Sequence, residues 1–172
     1  MLETIPARDL KHVGNKTDRL DSKVKVTGQA TYVADMIVPG MLYARVKTSP
    51  HARAKIVSID TSKAEALTGV RAVVTGEELD YRLGLYVVDK AILARGEVRH
   101  FGEAVAAVAA DTLEIAQKAV DLIDVEYEEL EPVLHPMDAL KDDAPLVHPN
   151  LGTYSYMEAA FTPKPGTNIA NH

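Results

Sequence analysis

The sequence predicts one α/β domain, a mixed sheet with two or three flanking helices, bounded by irregular arms at both ends. Three observations carry that reading. Residues 42–47 alternate Leu42, Ala44 and Val46 with Tyr43, Arg45 and Lys47, the period of two that a strand imposes, so one face is expected to be apolar and the other wet. Residues 104–109 form an almost unbroken run of alanine and valine, which suits a central strand covered on both faces. Leu113, Ala116, Val120 and Ile123 then recur at helical spacing and give the next element an apolar stripe. A chain of 172 residues suits one domain that buries roughly 70% of its unfolded surface, enough to fold without staples.

Taken in order, residues 1–22 are polar, carry the charges of Lys16, Asp18, Arg19 and Asp21, and show no sustained period. They read as an extended N-terminal arm, with the folded domain at 23–150 and a tail or linker at 151–172. Ser49-Pro50 ends the first strand, because proline cannot donate to a ladder and restricts the residue before it. Residues 54–59, rich in β-branched side chains, form the second strand. Thr61 is placed to cap a short helix whose buried side is Ala64 and Leu67, and Gly69 falls where a left-handed C-terminal cap belongs. Residues 70–74 resume as a strand, closing a strand–helix–strand unit. Residues 75–79 read as a turn or single helical turn, and 85–88 are compatible with a strand inside a surface loop. From Val98 a bent strand or strand pair leads through Gly102 into the alanine run. Asp111 and Glu114 form an acidic capping box for the following helix. Residues 125–128 return as a strand ended by Pro132, Pro136 opens a small helix through Leu140, and Leu146-Val147 is the last expected core element. Beyond it, Gly152, Pro163, Pro165 and Gly166 make the sequence sparse.

Composition narrows the function. The absence of cysteine excludes disulfides, thiolate-bound zinc and cysteine-held iron–sulfur clusters within these residues. A net charge of −6 argues against nucleic acid as a partner. The longest apolar run, 104–110, is far below the roughly 20 residues that span a bilayer, so no membrane association is expected. Residues 1–6 lack a basic region followed by an apolar core, so a cytoplasmic location is expected.

Few residues present themselves for chemistry. His12, His51, His100, His135, His148 and His172 have no paired metal-ligand spacing, and structural roles are expected for them; His100, at the bend before Gly102, is the most interesting. Asp124, Glu126 and Glu128 fall on one side of a strand and Val125 and Tyr127 on the other, so the acidic cluster from Asp121 to Glu131 reads as a solvated face, with a basic partner as the alternative. The glycines are dispersed and make no phosphate loop. Ser49 and Ser155 lack the context of a nucleophilic serine. Glu103, if buried, needs a cation or several donors, so it either faces solvent or pairs with an arginine such as Arg99.

Five segments in order carry a family likeness. They are Val26-Thr27-Gly28, Tyr32-Val33-Ala34-Asp35, Pro39-Gly40-Met41-Leu42-Tyr43, the stretch Ser49-Pro50-His51-Ala52-Arg53-Ala54 continuing to Ala64, and Val98-Arg99-His100-Phe101-Gly102-Glu103-Ala104-Val105-Ala106 continuing to Ala109. Over residues 21–148 the chain resembles the opening α/β-hammerhead domain of the molybdenum hydroxylase large subunit, the family of xanthine dehydrogenase, aldehyde oxidase, carbon monoxide dehydrogenase and 4-hydroxybenzoyl-CoA reductase. The resemblance implies a non-catalytic scaffold and assembly domain of a molybdenum-dependent oxidoreductase, with the molybdopterin region lying C-terminal to it. It implies no catalytic, cofactor-binding or metal-ligating residue among these 172, and no activity for the chain alone. Its implied partners are the remainder of the large subunit and the subunits or domains that carry iron–sulfur clusters and FAD, with a homo-oligomer left open. The chain departs from the usual family pattern at Arg53, Lys55, Gly96-Glu97 and Glu103-Ala104. The alternative is a stand-alone module that reuses the fold for a small ligand or a protein partner; an autonomous enzyme using Glu103 or His100 ranks third.

Overall fold

A computed structural model describes residue 14, residues 16–157 and residues 161–171. Most of the expected N-terminal arm, together with His12 and His172, lies outside the described residues. The chain divides into two compact units, Met1–Gly40 and Met41–His172. In the first, helix α1 (Ser22–Val26) is bracketed by the Asp21–Lys25 ion pair at 2.5 Å and ends before Gly28. A single 3-10 turn, Val33–Asp35, follows, with the Tyr32 amide donating to the Asp35 carboxylate at 3.0 Å.

Among its described residues the second unit has eight strands and three α-helices: β1 (Tyr43–Thr48), β2 (Ala54–Asp60), α2 (Ser62–Glu65), β3 (Val70–Thr75), β4 (Arg82–Leu83), β5 (Lys90–Ala91), β6 (Glu97–Val98), β7 (Ala104–Ala110), α3 (Leu113–Leu122), β8 (Asp124–Glu129) and α4 (Pro136–Ala139). They do not form the one mixed sheet expected. All pairings are antiparallel, in two three-stranded sheets ordered β1-β7-β3 and β6-β2-β8 and a β4-β5 hairpin. The strand–helix–strand unit therefore delivers its two strands to different sheets. Of the bent strand or strand pair expected around Gly102, the structure has two strands, but in two different sheets, with the chain turning at a glycine held at φ +80°.

The alanine run is central, as its composition predicts, but it is covered by α3 on one face only, with Ala107 and Ala109 half-buried on the other, and one irregularity in it joins the two sheets. Lys47 and Thr48 of β1 pair with Ala106 and Ala104, leaving Val105 as the extra residue of a β-bulge. A bulge re-aims a side chain that strict alternation would send to the other face. Val105 is fully buried, and it packs with Ala54, Ala94 and Val98 beneath the β6-β2-β8 sheet. Ala106 and Val108 instead pack under α3 with Ala119, Val120 and Ile123, and Ile59 and Val125 reach this cluster from β2 and β8. Close approach also fixes Gly76, where a Cβ would stand 2.2 Å from the Ala94 carbonyl oxygen.

The helix caps differ in detail from expectation. Thr112 rather than Asp111 caps α3, its hydroxyl accepting from the Ile115 amide at 3.2 Å, while Asp111 takes both arms of Arg71 at 2.7 and 2.8 Å. At α2, the Asp60 carboxylate accepts from the Ser62 amide at 3.0 Å and the Thr61 hydroxyl turns to Glu65.

The faces of β1 are reversed from the simple expectation. Tyr43 and Lys47 are the half-buried side chains, on the side packed against α3, whereas Leu42, Ala44 and Val46 are exposed. Long amphipathic side chains explain this, because a lysine can bury its stem and deliver its ammonium to a polar group. The Lys47 ammonium reaches the Val120 carbonyl at 3.3 Å, in the last turn of α3 where a cation is favoured, beside the Ile123 amide that the same carbonyl accepts.

Residues 151–157, expected to be a sparse tail, pack onto this unit. Leu151 and Tyr154 are buried, and Tyr156 bridges Val87. The Val88 amide donates to the Ser155 carbonyl and the Met157 amide to that of Tyr86, both at 2.8 Å. At 85–88, which the sequence left compatible with a strand, the structure has a single bridge instead, from Val87 to Tyr156 of the tail. Further on, the Asn168 side chain accepts from the Val147 amide and donates to the carbonyls of Ala139 and Pro145.

Candidate functional site

The two stretches that carry most of the family likeness meet in space. The buried Ser49 amide donates to the Glu103 carbonyl and the Gly102 amide to the Ser49 carbonyl, both at 2.9 Å. The Ser49 hydroxyl accepts from the His51 amide at 3.0 Å, which turns the Ser-Pro-His segment back on itself. Ser49 therefore joins the turn after β1 to the turn before β7.

Glu103 and His100, the two residues singled out at this bend, have different fates. The Glu103 carboxylate accepts from the Arg99 amide at 2.5 Å and lies 4.0 Å from the Arg99 guanidinium, with both side chains 17% exposed. Of the two arrangements the sequence allows, pairing with Arg99 is the one present. Arg99 also donates from Nε to the Val147 carbonyl at 3.1 Å, so the pair anchors the segment after α4. His100 is exposed, with Nδ1 2.9 Å from the Phe101 carbonyl, and touches no other titratable side chain in these contacts.

A cleft of 580 Å³ opens beside this bend, lined among others by Asp89, Lys90, Arg99, His100, Glu103 and His148. Sequence reasoning did not bring Asp89 and His148 here, because their approach depends on the hairpin and the tail. His148 Nε2 stands 3.7 Å from the Asp89 carboxylate, while Nδ1 is buried without a hydrogen-bond partner. Burial holds the imidazole pKa below its ordinary range, helped by the charges of Arg99 and Arg82 and opposed by Asp89 and Glu103.

A second polar knot surrounds Arg53, another residue that sequence reasoning did not assign a role. Its Nε donates to Glu97 at 2.8 Å and its two terminal nitrogens reach the carbonyls of Glu131 and Leu146 at 3.0 and 3.2 Å. Arg53 and Glu97 are two of the departures from the usual family pattern, and they are partners. Nearby, His51 contacts Glu129 at 3.0 Å and packs edge-on to Tyr127 at 4.9 Å between centroids. The Tyr127 hydroxyl lacks a well-formed hydrogen bond, and burial pushes its pKa up, with the adjacent Ser49 hydroxyl opposing.

The acidic cluster behaves as a solvated strand face. Asp124, Glu126 and Glu128 are exposed and meet Lys63, Ser58 and Lys55 at 3.2, 3.3 and 3.8 Å. Among the described residues no three His, Asp or Glu side chains are grouped to hold a metal ion, and no helix is long and apolar enough to cross a membrane. In the cleft, Arg99 is engaged by Glu103 and the Val147 carbonyl and His148 faces Asp89, so the carboxylates of Glu103 and Asp89 stand among the cations Arg99 and Lys90.

Comparison with known proteins agrees with the geometry. The family model for the aldehyde oxidase and xanthine dehydrogenase a/b hammerhead domain matches residues 27–131. The chain is 45% identical over 138 residues to a probable xanthine dehydrogenase subunit from Bacillus subtilis, covering 78% of this chain and 18% of that protein. It is 43% identical over 150 residues to the nicotinate dehydrogenase large molybdopterin subunit of Eubacterium barkeri, covering 82% and 34%. Among solved structures it resembles CO dehydrogenase from Oligotropha carboxidovorans with a TM-score of 0.72 and 38% identity, over 77% of this chain and 17% of that one. The chain thus spans about a sixth to a third of the length of such relatives. With the family domain matched over most of its folded part, the chain belongs to the aldehyde oxidase and xanthine dehydrogenase hammerhead family.

Proposed function

We propose that this chain is the non-catalytic scaffold and assembly domain of a molybdenum-dependent oxidoreductase large subunit, whose molybdopterin region lies C-terminal to it. The observation that carries the reading is how the family motifs are used: Ser49, Arg53, Arg99 and Glu103 are engaged in tying segments together. Side chains committed in this way hold geometry rather than turn over a substrate. In this reading molybdopterin is held by the remainder of the large subunit, and iron–sulfur clusters and FAD reside on partner subunits or domains. The assembly works in the cytoplasm.

The test is metal analysis and visible spectroscopy of the purified chain. The expected result is no stoichiometric molybdenum and no flavin or iron–sulfur absorption; stoichiometric bound molybdopterin would refute the non-catalytic role. A second reading, a stand-alone binding module, draws on an apolar cleft of 380 Å³ between the segment around α4 and Thr167-Asn168. Saturable binding of a small apolar ligand there, lost on Ala139→Trp, would favour it.

A further inference from the structure

The β1-β7-β3 sheet has one face under α3 and one face that the described residues leave open. The register aligns Ala44, Ala109 and Ala72 in one row across the three strands and Val46, Ala107 and Val74 in the next. Residues directly opposite in an antiparallel pair share a face, so these six side chains form one surface. Ala44, Val46 and Ala72 are exposed, and Val74, Ala107 and Ala109 are half-buried. None is charged or polar, although 26% of the chain is charged. Such a surface is half of a sheet-to-partner core.

We infer that this face docks onto the remainder of the same large subunit, against an element that presents large aliphatic or aromatic side chains. The inference rests on the assembly role proposed above and names its contact surface. Two arguments select this occupant. First, the matched relatives continue for several times the length of the matched segment, the chain covering 18% of the Bacillus subtilis protein. Second, three strands about 4.8 Å apart with two rows about 6.8 Å apart cover roughly 200 Å². That is well below the roughly 800 Å² per partner of a stable dimer. A small face suffices when the partner is tethered, because a covalent link replaces bimolecular association with an intramolecular contact at high effective concentration. The four alanines let a partner backbone approach closely, and bulky apolar side chains opposite them would fill the space to interior density.

The experiment places this chain in the Bacillus subtilis protein in exchange for its matching segment, and compares the chimera with the Val46→Asp/Ala107→Asp pair and with Glu126→Lys on the other sheet. Docking buries the new carboxylates unpaired, so the pair should lower the yield of soluble, protease-resistant subunit by at least about tenfold, while Glu126→Lys leaves it unchanged. Thermal melts of the separate chain carrying the same pair distinguish folding from docking, the expected midpoint being close to that of the parent. A parent chimera that assembles and tolerates the pair overturns the docking face and leaves the assembly role standing. A parent chimera that does not assemble overturns the assembly role itself. A dimer of the separate chain, dissolved by the pair in light scattering, would assign the face to a second copy and overturn the inference.

Discussion

The outer faces of the two three-stranded sheets share strand geometry and differ in chemistry. On the β6-β2-β8 sheet, Lys55, Ser58, Asp124, Glu126 and Glu128 are exposed; Lys55 and Ser58 meet Glu128 and Glu126 across β2 and β8, and Asp124 reaches Lys63 of α2. On the β1-β7-β3 sheet, the equivalent surface is alanine and valine. A charged face needs nothing further, since water solvates it and its charges discourage edge pairing. An apolar face exposed to water is unfavourable by about 25 cal/mol per Å², a modest penalty for a surface this small. The contrast shows that one sheet ends at solvent and the other is suited to another layer.

The largest effect should come from the core beneath both sheets. Ile123 is 1% exposed and packs where elements of both sheets converge. Ile123→Ala should lower stability by about 2–5 kcal/mol in urea unfolding, in one cooperative transition. Loss of the two sheets at separate midpoints would break the picture of a shared core.

Arg53→Met comes next. It leaves Glu97 without its cation and the Glu131 and Leu146 carbonyls without donors. Since Arg53 and Glu97 are only 14% and 23% exposed, about 1–3 kcal/mol should be lost. The Glu97→Gln variant, which keeps an acceptor, should lose less. Equal losses would mean that charge, rather than the stapling of three segments, is what Arg53 supplies.

The pH response of His148 sharpens the comparison at the cleft. Burial depresses its folded pKa below 6.5, so the unfolded chain binds the proton first as pH falls. Its contribution is therefore fully present above about pH 6.5 and declines as pH drops toward the lower folded value. Thermal midpoints followed across that interval should fall less steeply in His148→Gln than in the parent; identical slopes would remove His148 as the cause. The smallest effects belong to the outer faces themselves. Val46→Thr and Glu126→Gln should each shift the separate chain's stability by no more than about 0.5 kcal/mol. A loss above about 2 kcal/mol for Val46→Thr would show that its face is already packed.

Much of this was legible from residue patterns. The alanine run reads as a central strand and the stripe Leu113, Ala116, Val120 and Ile123 as the covering helix, though Leu113 is exposed; for Glu103 the sequence leaves solvent exposure and pairing with an arginine such as Arg99 both open. What escaped has specific causes. Tyr43 and Lys47 read as wet because periodicity scores side-chain type, whereas packing uses their apolar stems. The run 104–109 reads as covered on both faces, whereas Ala107 and Ala109 lie on an open one; Val105, of the same parity, is buried because a bulge re-aims it, and a bulge leaves no mark in the composition. Leu151 and Tyr154 lie in a proline- and glycine-rich stretch whose backbone is satisfied by the loop at 86–88, a partner about 65–70 residues earlier in the chain. His148 and Asp89 meet only once that stretch is docked.

The most direct measurement uses the absence of cysteine from the chain. Ala107→Cys and Glu126→Cys each introduce one thiol, on the apolar and the charged face. Their alkylation rates can be read peptide by peptide in the separate chain and in the chimeric large subunit. The account predicts that Ala107→Cys reacts at least about tenfold more slowly in the subunit than in the chain, as expected of an interface interior, while Glu126→Cys reacts equally in both. Equal rates for Ala107→Cys in the two settings would contradict it.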